Sequence, residues 1–198
     1  MKKNPKQERS RNLISSIFEA ASRILVTLGY EKSTTNQIAK KAGVSIGSLY
    51  QYFPNKEAIF SKLIEENLNK HKELFIEELN SCKNFTFAKA SEYIMHKSVD
   101  YYFENQNVLK NLFTKIPHLK KHQDALKINA FIIEELKKYL LTYHIDEIDI
   151  DDIDNKLFIV VNAVMGIYNQ LIASESQLIS KEALKKHFTF LVIKLLIK

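Results

Sequence analysis

Between Ser33 and Lys56 the chain reads STTNQIAKKAGVSIGSLYQYFPNK, and this stretch leaves few folds open. Thr34 suits an N-cap, and Gln37, three positions on, can reach back to close a capping box. Ile38, Ala39 and Ala42 fall on one helical face. Gly43 stands where a left-handed C-cap needs a residue without a Cβ, and Val44 can anchor the turn. Ser45 starts a second helix, expected over Ile46 to Phe53, that turns Leu49 and Phe53 inward. Ser45, Ile46, Gly47, Ser48, Gln51 and Tyr52 are left largely outside. Pro54 stops it. Two short helices about a glycine turn form a helix-turn-helix, a motif whose second helix enters the major groove.

The charge distribution agrees with this reading. The net charge is +6, but residues 1 to 56 hold ten Lys and Arg against three acids, so the remainder is close to neutral. A basic head on a neutral body is the electrostatic footprint of phosphate binding. A basic head docking an acidic protein partner would give the same footprint.

The motif resembles the DNA-binding domain of the tetracycline-repressor (TetR) family of bacterial one-component regulators. The likeness covers about the first third of the chain. It is carried by Ala20, Ala21, Gly29-Tyr30, Ile38-Ala39, Ala42-Gly43-Val44-Ser45, Gly47, Leu49-Tyr50, Tyr52-Phe53 and Lys56. Leu25 departs from the phenylalanine common there, a volume-tolerant change. The resemblance implies an all-α fold with a three-helix head at residues 1–54 and a helical ligand-sensing and dimerisation domain at 55–198. It also implies a repressor released from a palindromic operator by a small molecule. The expected partners are double-stranded DNA, that effector and a second copy of the chain.

Side-chain chemistry distributes the DNA roles. Gln51 can pair with an adenine edge, Ile46 can touch a thymine methyl, and Ser45 and Ser48 can bond bases or phosphates. Gly47 permits close backbone approach. Tyr50, Tyr52, Thr34, Thr35, Asn36 and Lys56 suit phosphate oxygens. Arg9 and Arg11, on a basic arm over residues 1–12, are expected along the flanking backbone or minor groove.

With only 4 Gly and 3 Pro in 198 residues, turns are few and the rest reads as helices. The first helix presents Leu13, Ile14, Ile17, Phe18, Ala21, Leu25 and Leu28, and Gly29 ends it. Asn55 caps a long helix running to about Leu79. Further helices are expected near 85–104, 105–116, 119–143, 152–173 and 180–197. Pro117 interrupts the middle of this region, and Asp146 to Asp154 reads as a solvated acidic loop. The last two helices are apolar over more than one stripe. A buried core and a dimer face are both open by pattern, and the resemblance selects a dimer through Leu157, Val161, Val164, Tyr168, Leu184, Phe188, Leu191 and Leu195. Tyr93, Met95, His96, Tyr102, Phe103, Phe113, Phe131, Asn162, Met165 and Tyr168 are the candidates for an effector pocket.

No enzyme is expected. His118 and His122 share a helix face but lack the acid between them that a metalloprotease helix carries, and no nucleophile triad or phosphate loop is present. No metal or cofactor is therefore expected. The lone Cys82 fits a reducing compartment. No apolar segment follows the basic N-terminus, and the longest apolar run, Phe158 to Tyr168, falls short of the roughly 20 residues a membrane span needs. A cytoplasmic protein without a membrane partner is expected.

Overall fold

The computed structural model describes residues 5–114, 121–174 and 179–198, with side chains described for 8–111, 127–174 and 179–198. Among these residues there are eight helices and no strand: α1 Pro5–Lys32, α2 Thr35–Ala42, α3 Ile46–Tyr50, α4 Lys56–Ser81, α5 Phe87–Thr114, α6 Lys121–Tyr143, α7 Ile153–Ala173 and α8 Lys181–Leu196. By its contacts the chain divides into two compact units, Met1–Asn67 with Asn107–Leu119, and Leu68–Gln106 with Lys120–Lys198. Pro117 and His118 lie outside the described residues, as do the side chains of Phe113 and His122.

In the first unit α1 begins earlier than expected. Pro5 suits a first helical position, where its missing N–H has no partner to lose, and Glu8 in the first turn favours the positive end of the helix. Arg9 and Arg11 therefore stand on a helix and not on a loose arm, and both are exposed. Ile17, Ala20, Ala21, Ile24 and Leu25 form the buried stripe, whereas Leu28, expected in the core, is exposed. Gly29, at φ 77 and ψ 170, breaks the helical path in a region that side chains with a Cβ avoid. Ile38, Ala39, Leu49, Phe53, Ile59 and Phe60 complete the core. Phe18 packs on Phe53 at 5.7 Å, and Tyr30 meets Phe60 edge-on at 5.3 Å. Each fully buried Leu, Ile or Phe contributes about 1.5–3 kcal/mol, and these few residues fix the head.

The second unit is built on Phe75, Leu79, Phe87, Ile94, Leu140, Leu157, Val160 and Leu196, with Cys82 among them. The Cys82 thiol donates to the Glu78 carbonyl, and burial pushes its pKa up. A polar chain leads from this core to the exposed Glu147. Tyr139 donates to the Cys82 carbonyl oxygen (3.0 Å), and His144 Nε2 lies 3.0 Å from that hydroxyl. His144 Nδ1 lies 2.9 Å from Glu147 Oε1, and Glu147 Oε2 accepts from the Phe87 N–H (2.9 Å). The bond to His144 holds the Glu147 carboxyl below the usual carboxylate range.

Three expectations are corrected in the second half of the chain. The break near residue 104 is absent: α5 runs on through Phe87–Thr114, with the Asn105 and Gln106 amides folded back onto the Tyr101 and Phe103 carbonyls of the same helix. The acidic loop is not simply solvated. Ile148 is fully buried and bridges Ile197, while the Asp149 N–H donates to the Leu196 carbonyl (2.8 Å). Leu157, Val161, Val164, Tyr168, Leu184 and Phe188 are buried within their own unit, and Tyr168 stacks on Tyr102 at 4.9 Å and meets Phe188 edge-on. The apolar side chains that α7 and α8 leave exposed are Phe158, Ile159, Ile167 and Phe190, beside half-buried Leu191 and Leu195. By length and composition alone α7 and residues Glu8–Lys32 of α1 are apolar enough to cross a membrane, a test that the core helix of a soluble protein also passes.

Candidate nucleic-acid interface and ligand cavity

The helix-turn-helix is held by bonds that the sequence spacing foretold. Thr34 is extended (φ −132, ψ 154), its hydroxyl accepts from the Gln37 N–H at 3.2 Å, and Gln37 Oε1 accepts from the Thr34 N–H at 2.9 Å. Gly43 is left-handed (φ 68, ψ 27), with its N–H on the Lys40 carbonyl and the Val44 N–H on the Ala39 carbonyl. That pair of bonds is the Schellman closure. Ser45 caps α3 by accepting from the Ser48 N–H at 3.0 Å, and the two hydroxyls lie 2.8 Å apart. Both serine oxygens are thus engaged locally, which leaves Ser45 mainly a cap.

The second helix closes at Tyr50, three residues before the Phe53 expected, as the Tyr52 and Phe53 amides both turn back to the Leu49 carbonyl. Leu49 is fully buried and Phe53 nearly so. Ser45, Ile46, Gly47, Gln51 and Tyr52 are exposed, Ser48 is half-buried, and Tyr50 is half exposed to solvent. Thr34 and Asn36 are also exposed, with Thr35 half-buried beside them. Two hydroxyl links fix the tyrosines: Thr35 Oγ1 to Tyr50 OH at 3.0 Å, and Ser10 Oγ donating to Tyr52 OH at 2.9 Å. Ser10 was not singled out in the sequence, since nothing local ties it to a residue 42 positions away.

At Gly47 an added Cβ would meet only Ser45 Oγ, at 3.9 Å, and the backbone is ordinary. Nothing inside the chain calls for a glycine at this first-turn position.

Lys56 is reassigned. Its ammonium donates to the carbonyls of Tyr30 (3.0 Å), Glu31 (3.2 Å) and Ser33 (3.3 Å) and sits 4.4 Å from the centre of the Tyr30 ring. All three of its N–H donors are taken. It caps the C-terminal end of α1 and has none left for a phosphate.

The second unit holds an apolar cavity of about 80 Å³ among α4 to α8. Leu74, Phe75, Ile94, Leu136, Val164 and Val192 are representative of its walls. Of the pocket residues expected from sequence, Met95 and Met165 line it. Tyr93 and His96 sit instead in a shallow surface depression with Lys89 and Asp100. Tyr102 and Tyr168 are core, Phe103 packs edge-on against Tyr102, Phe131 lies under the Lys72 ammonium, and Asn162 accepts from Asn129. The residues missed are His71, Glu78, Ser91, Ser98 and Tyr101, which bring the polar chemistry to the cavity. His71 and Tyr101 stack at 4.7 Å with planes 8° apart, and burial lowers the pKa of the imidazole. Burial raises the Glu78 carboxyl to about 7, against a partial pull downward from Lys97.

Comparison with known proteins finds likenesses to these features. Residues 17–63 match the model of the bacterial regulatory proteins of the tetR family. The chain is 26% identical over 167 residues to the HTH-type transcriptional regulator QacR of Staphylococcus aureus, spanning 79% of this chain and 84% of that one. It is 29% identical over 135 residues to the fatty acid metabolism regulator protein of Bacillus subtilis, spanning 68% and 65%. A solved structure from Mesorhizobium loti, assigned to the TetR family of transcriptional regulators, superposes with a TM-score of 0.78 at 15% identity and covers 96% of this chain and 99% of its own.

Proposed function

We propose, from the match of residues 17–63 to the tetR-family model, that the chain is a member of that family and a sequence-specific DNA-binding transcriptional regulator, a repressor that leaves a palindromic operator when a small molecule binds. The observation that carries this reading is α3 itself. It is capped at both ends, pinned by Leu49 and Phe53, and presents Ile46, Gly47, Tyr50 and Gln51 outward, with a glycine that its own fold does not require.

Residues 1–54 form the reading head and 55–198 the regulatory body. Gln51 and Ile46 read base edges, and Ser48 bonds a base or a phosphate. Thr34, Thr35, Asn36, Tyr50 and Tyr52 set register on the phosphates. Arg9 and Arg11, presented from the first turns of α1, follow the flanking backbone. Two copies associate through Phe158, Ile159, Ile167 and Phe190, so that two heads read half-sites roughly 34–36 Å apart or a multiple of that. The effector occupies the cavity of the body. A ligand that favours the non-DNA state lowers DNA affinity by the same coupling it gains, typically about 1–3 kcal/mol. The protein works in the cytoplasm.

Selection of bound fragments from random DNA, followed by footprinting across a salt series, tests this. A symmetric site with steep salt dependence is expected, and binding without sequence preference overturns the reading. Gln51→Ala should relax preference at one base pair per half-site, by about 1–3 kcal/mol. Lys56→Met should weaken binding through the head's stability while leaving the salt slope unchanged. Were Lys56 a phosphate ligand, the same substitution would lower that slope by about 1.

A further inference from the structure

We propose that Ser10 is a positioning residue for DNA binding: through the Tyr52 phenol it sets the first turns of α1 against the turn that closes the reading helix, so that Arg9, Arg11 and that phenol meet the duplex backbone together. This rests on the DNA-binding reading and goes further by naming the bond that joins the basic start of the chain to the reading surface.

Ser10 lies four residues before Ile14 and seven before Ile17, on the stripe of α1 that runs down into the core of the head. About two turns further on, Phe18 packs on Phe53, the neighbour of Tyr52, at 5.7 Å. Hydroxyls elsewhere on this helix bond their own backbone: Ser16 donates to the Asn12 carbonyl and Thr27 to the Arg23 carbonyl, both at 2.9 Å. Such back-bonding is the ordinary use of serine and threonine inside a helix. Ser10 instead donates to Tyr52, 42 residues away, at 2.9 Å.

The bond is at the surface, with Ser10 half-buried and Tyr52 39% exposed. Water can replace a hydrogen bond there, so it adds little to stability. What it fixes is orientation. The Tyr52 oxygen accepts from Ser10 and keeps its own proton to give to a phosphate oxygen. Arg9 and Arg11, one residue to either side of Ser10, stand about 100° around the helix from it in opposite senses. Both are exposed, and among the described residues no carboxylate, that of Glu8 included, forms an ion pair with them. A contact made at Ser10 therefore holds two uncommitted guanidiniums on either flank of the Tyr52 hydroxyl.

The test measures binding of the full chain to the duplex selected from random DNA, across a salt series and with hydroxyl-radical footprints of each complex. Ser10→Ala should bind about 10-fold more weakly, with a salt slope shallower by about 1–2 and lost protection at the outer backbone of each half-site, while its base preference stays that of the parent. Alanine is a better helix former than serine, so helix propensity does not account for such a loss, and the unfolding midpoint should not fall. Ser10→Thr, which keeps the hydroxyl, should restore affinity, slope and protection. In a Tyr52→Phe background Ser10→Ala should add no further loss. An unaltered slope and footprint in Ser10→Ala, equal losses from it with and without the Tyr52 hydroxyl, no rescue by threonine, or a fall in unfolding midpoint that accompanies the weaker binding overturns the proposal. A parent chain that binds DNA without sequence preference overturns the regulator reading alone, because the same salt slopes on any duplex still decide the role of Ser10; a parent chain that binds no DNA overturns both.

Discussion

The caps of the reading helix and the bonds that cross the body's core act over different distances along the chain, although the head also holds the long-range pairs Ser10–Tyr52 and Lys56–Tyr30. In the head, the bonds that shape the reading helix join residues three to five apart: Thr34 with Gln37, Gly43 with Lys40, Val44 with Ala39, Ser45 with Ser48. In the body, the polar contacts tie together Tyr139 and Cys82, Phe87 and Glu147, and Ser98 and Tyr168, separated by 57, 60 and 70 positions. A surface built from short-range bonds is set by its own few residues and tolerates change elsewhere. A cavity built from long-range ones depends on every helix that closes it.

This contrast can be broken, and the largest effect should come from the head's core. Leu49→Ala removes a fully buried side chain from a small unit, and unfolding by denaturant should show a loss of about 2–5 kcal/mol. An unchanged midpoint would mean that α3 is not anchored as described. Tyr139→Phe takes the hydroxyl from between Cys82 and His144 and should lower stability by about 1–3 kcal/mol through the groups left unpaired in the core. Thr34→Ala opens the capping box; a loss of about 0.5–2 kcal/mol is expected, and Ser at the same position should restore most of it. If Tyr139→Phe were milder than Thr34→Ala, the distinction drawn between long-range and local bonding would fail.

The smallest effect is a pH dependence. Glu78 keeps its proton to about pH 7 when folded, whereas an unfolded glutamate loses it in the ordinary carboxylate range. Between those limits the folded state holds more protons, so this group's contribution is complete at low pH and is lost as pH rises toward 7. Glu78→Gln should flatten that decline, and thermal melts from pH 4.5 to 8 would register it. For Asp100 the sign is opposite: its hydrogen bonds to Lys181 and Lys185 hold its pKa below the usual value. Its contribution is present above the carboxylate range and fades as pH falls through the lowered pKa.

Legibility in the sequence follows the same division. Thr34, Gln37, Gly43, Ser45 and Asn55 could be assigned because capping chemistry acts within one turn, and each stands in the role its spacing implied. The start of α1 was readable too, in Pro5 and Glu8, but the surrounding lysines masked it as a tail. Lys56 looked like a phosphate ligand because a sequence shows an ammonium without showing which carbonyls lie 25 residues back. In the body, weighting by aromatic content chose the wrong face of α5. Its cavity face runs through Phe87, Ala90, Ser91, Ile94, Ser98 and Tyr101, a helical stripe diluted by two serines and an alanine. On α7 the apolar residues serve two faces at once, and only packing separates Leu157, which turns inward, from Phe158, which does not. Glu78 carries no local sign of its burial.

Cys82 offers a use beyond its place in the core. It is the single thiol of the chain, fully buried and held in its unreactive form, so a maleimide or a disulfide reagent meets it only when the body breathes. The rate of labelling is therefore a native clock for that breathing, one that needs no engineered reporter and that an occupant of the neighbouring cavity should slow.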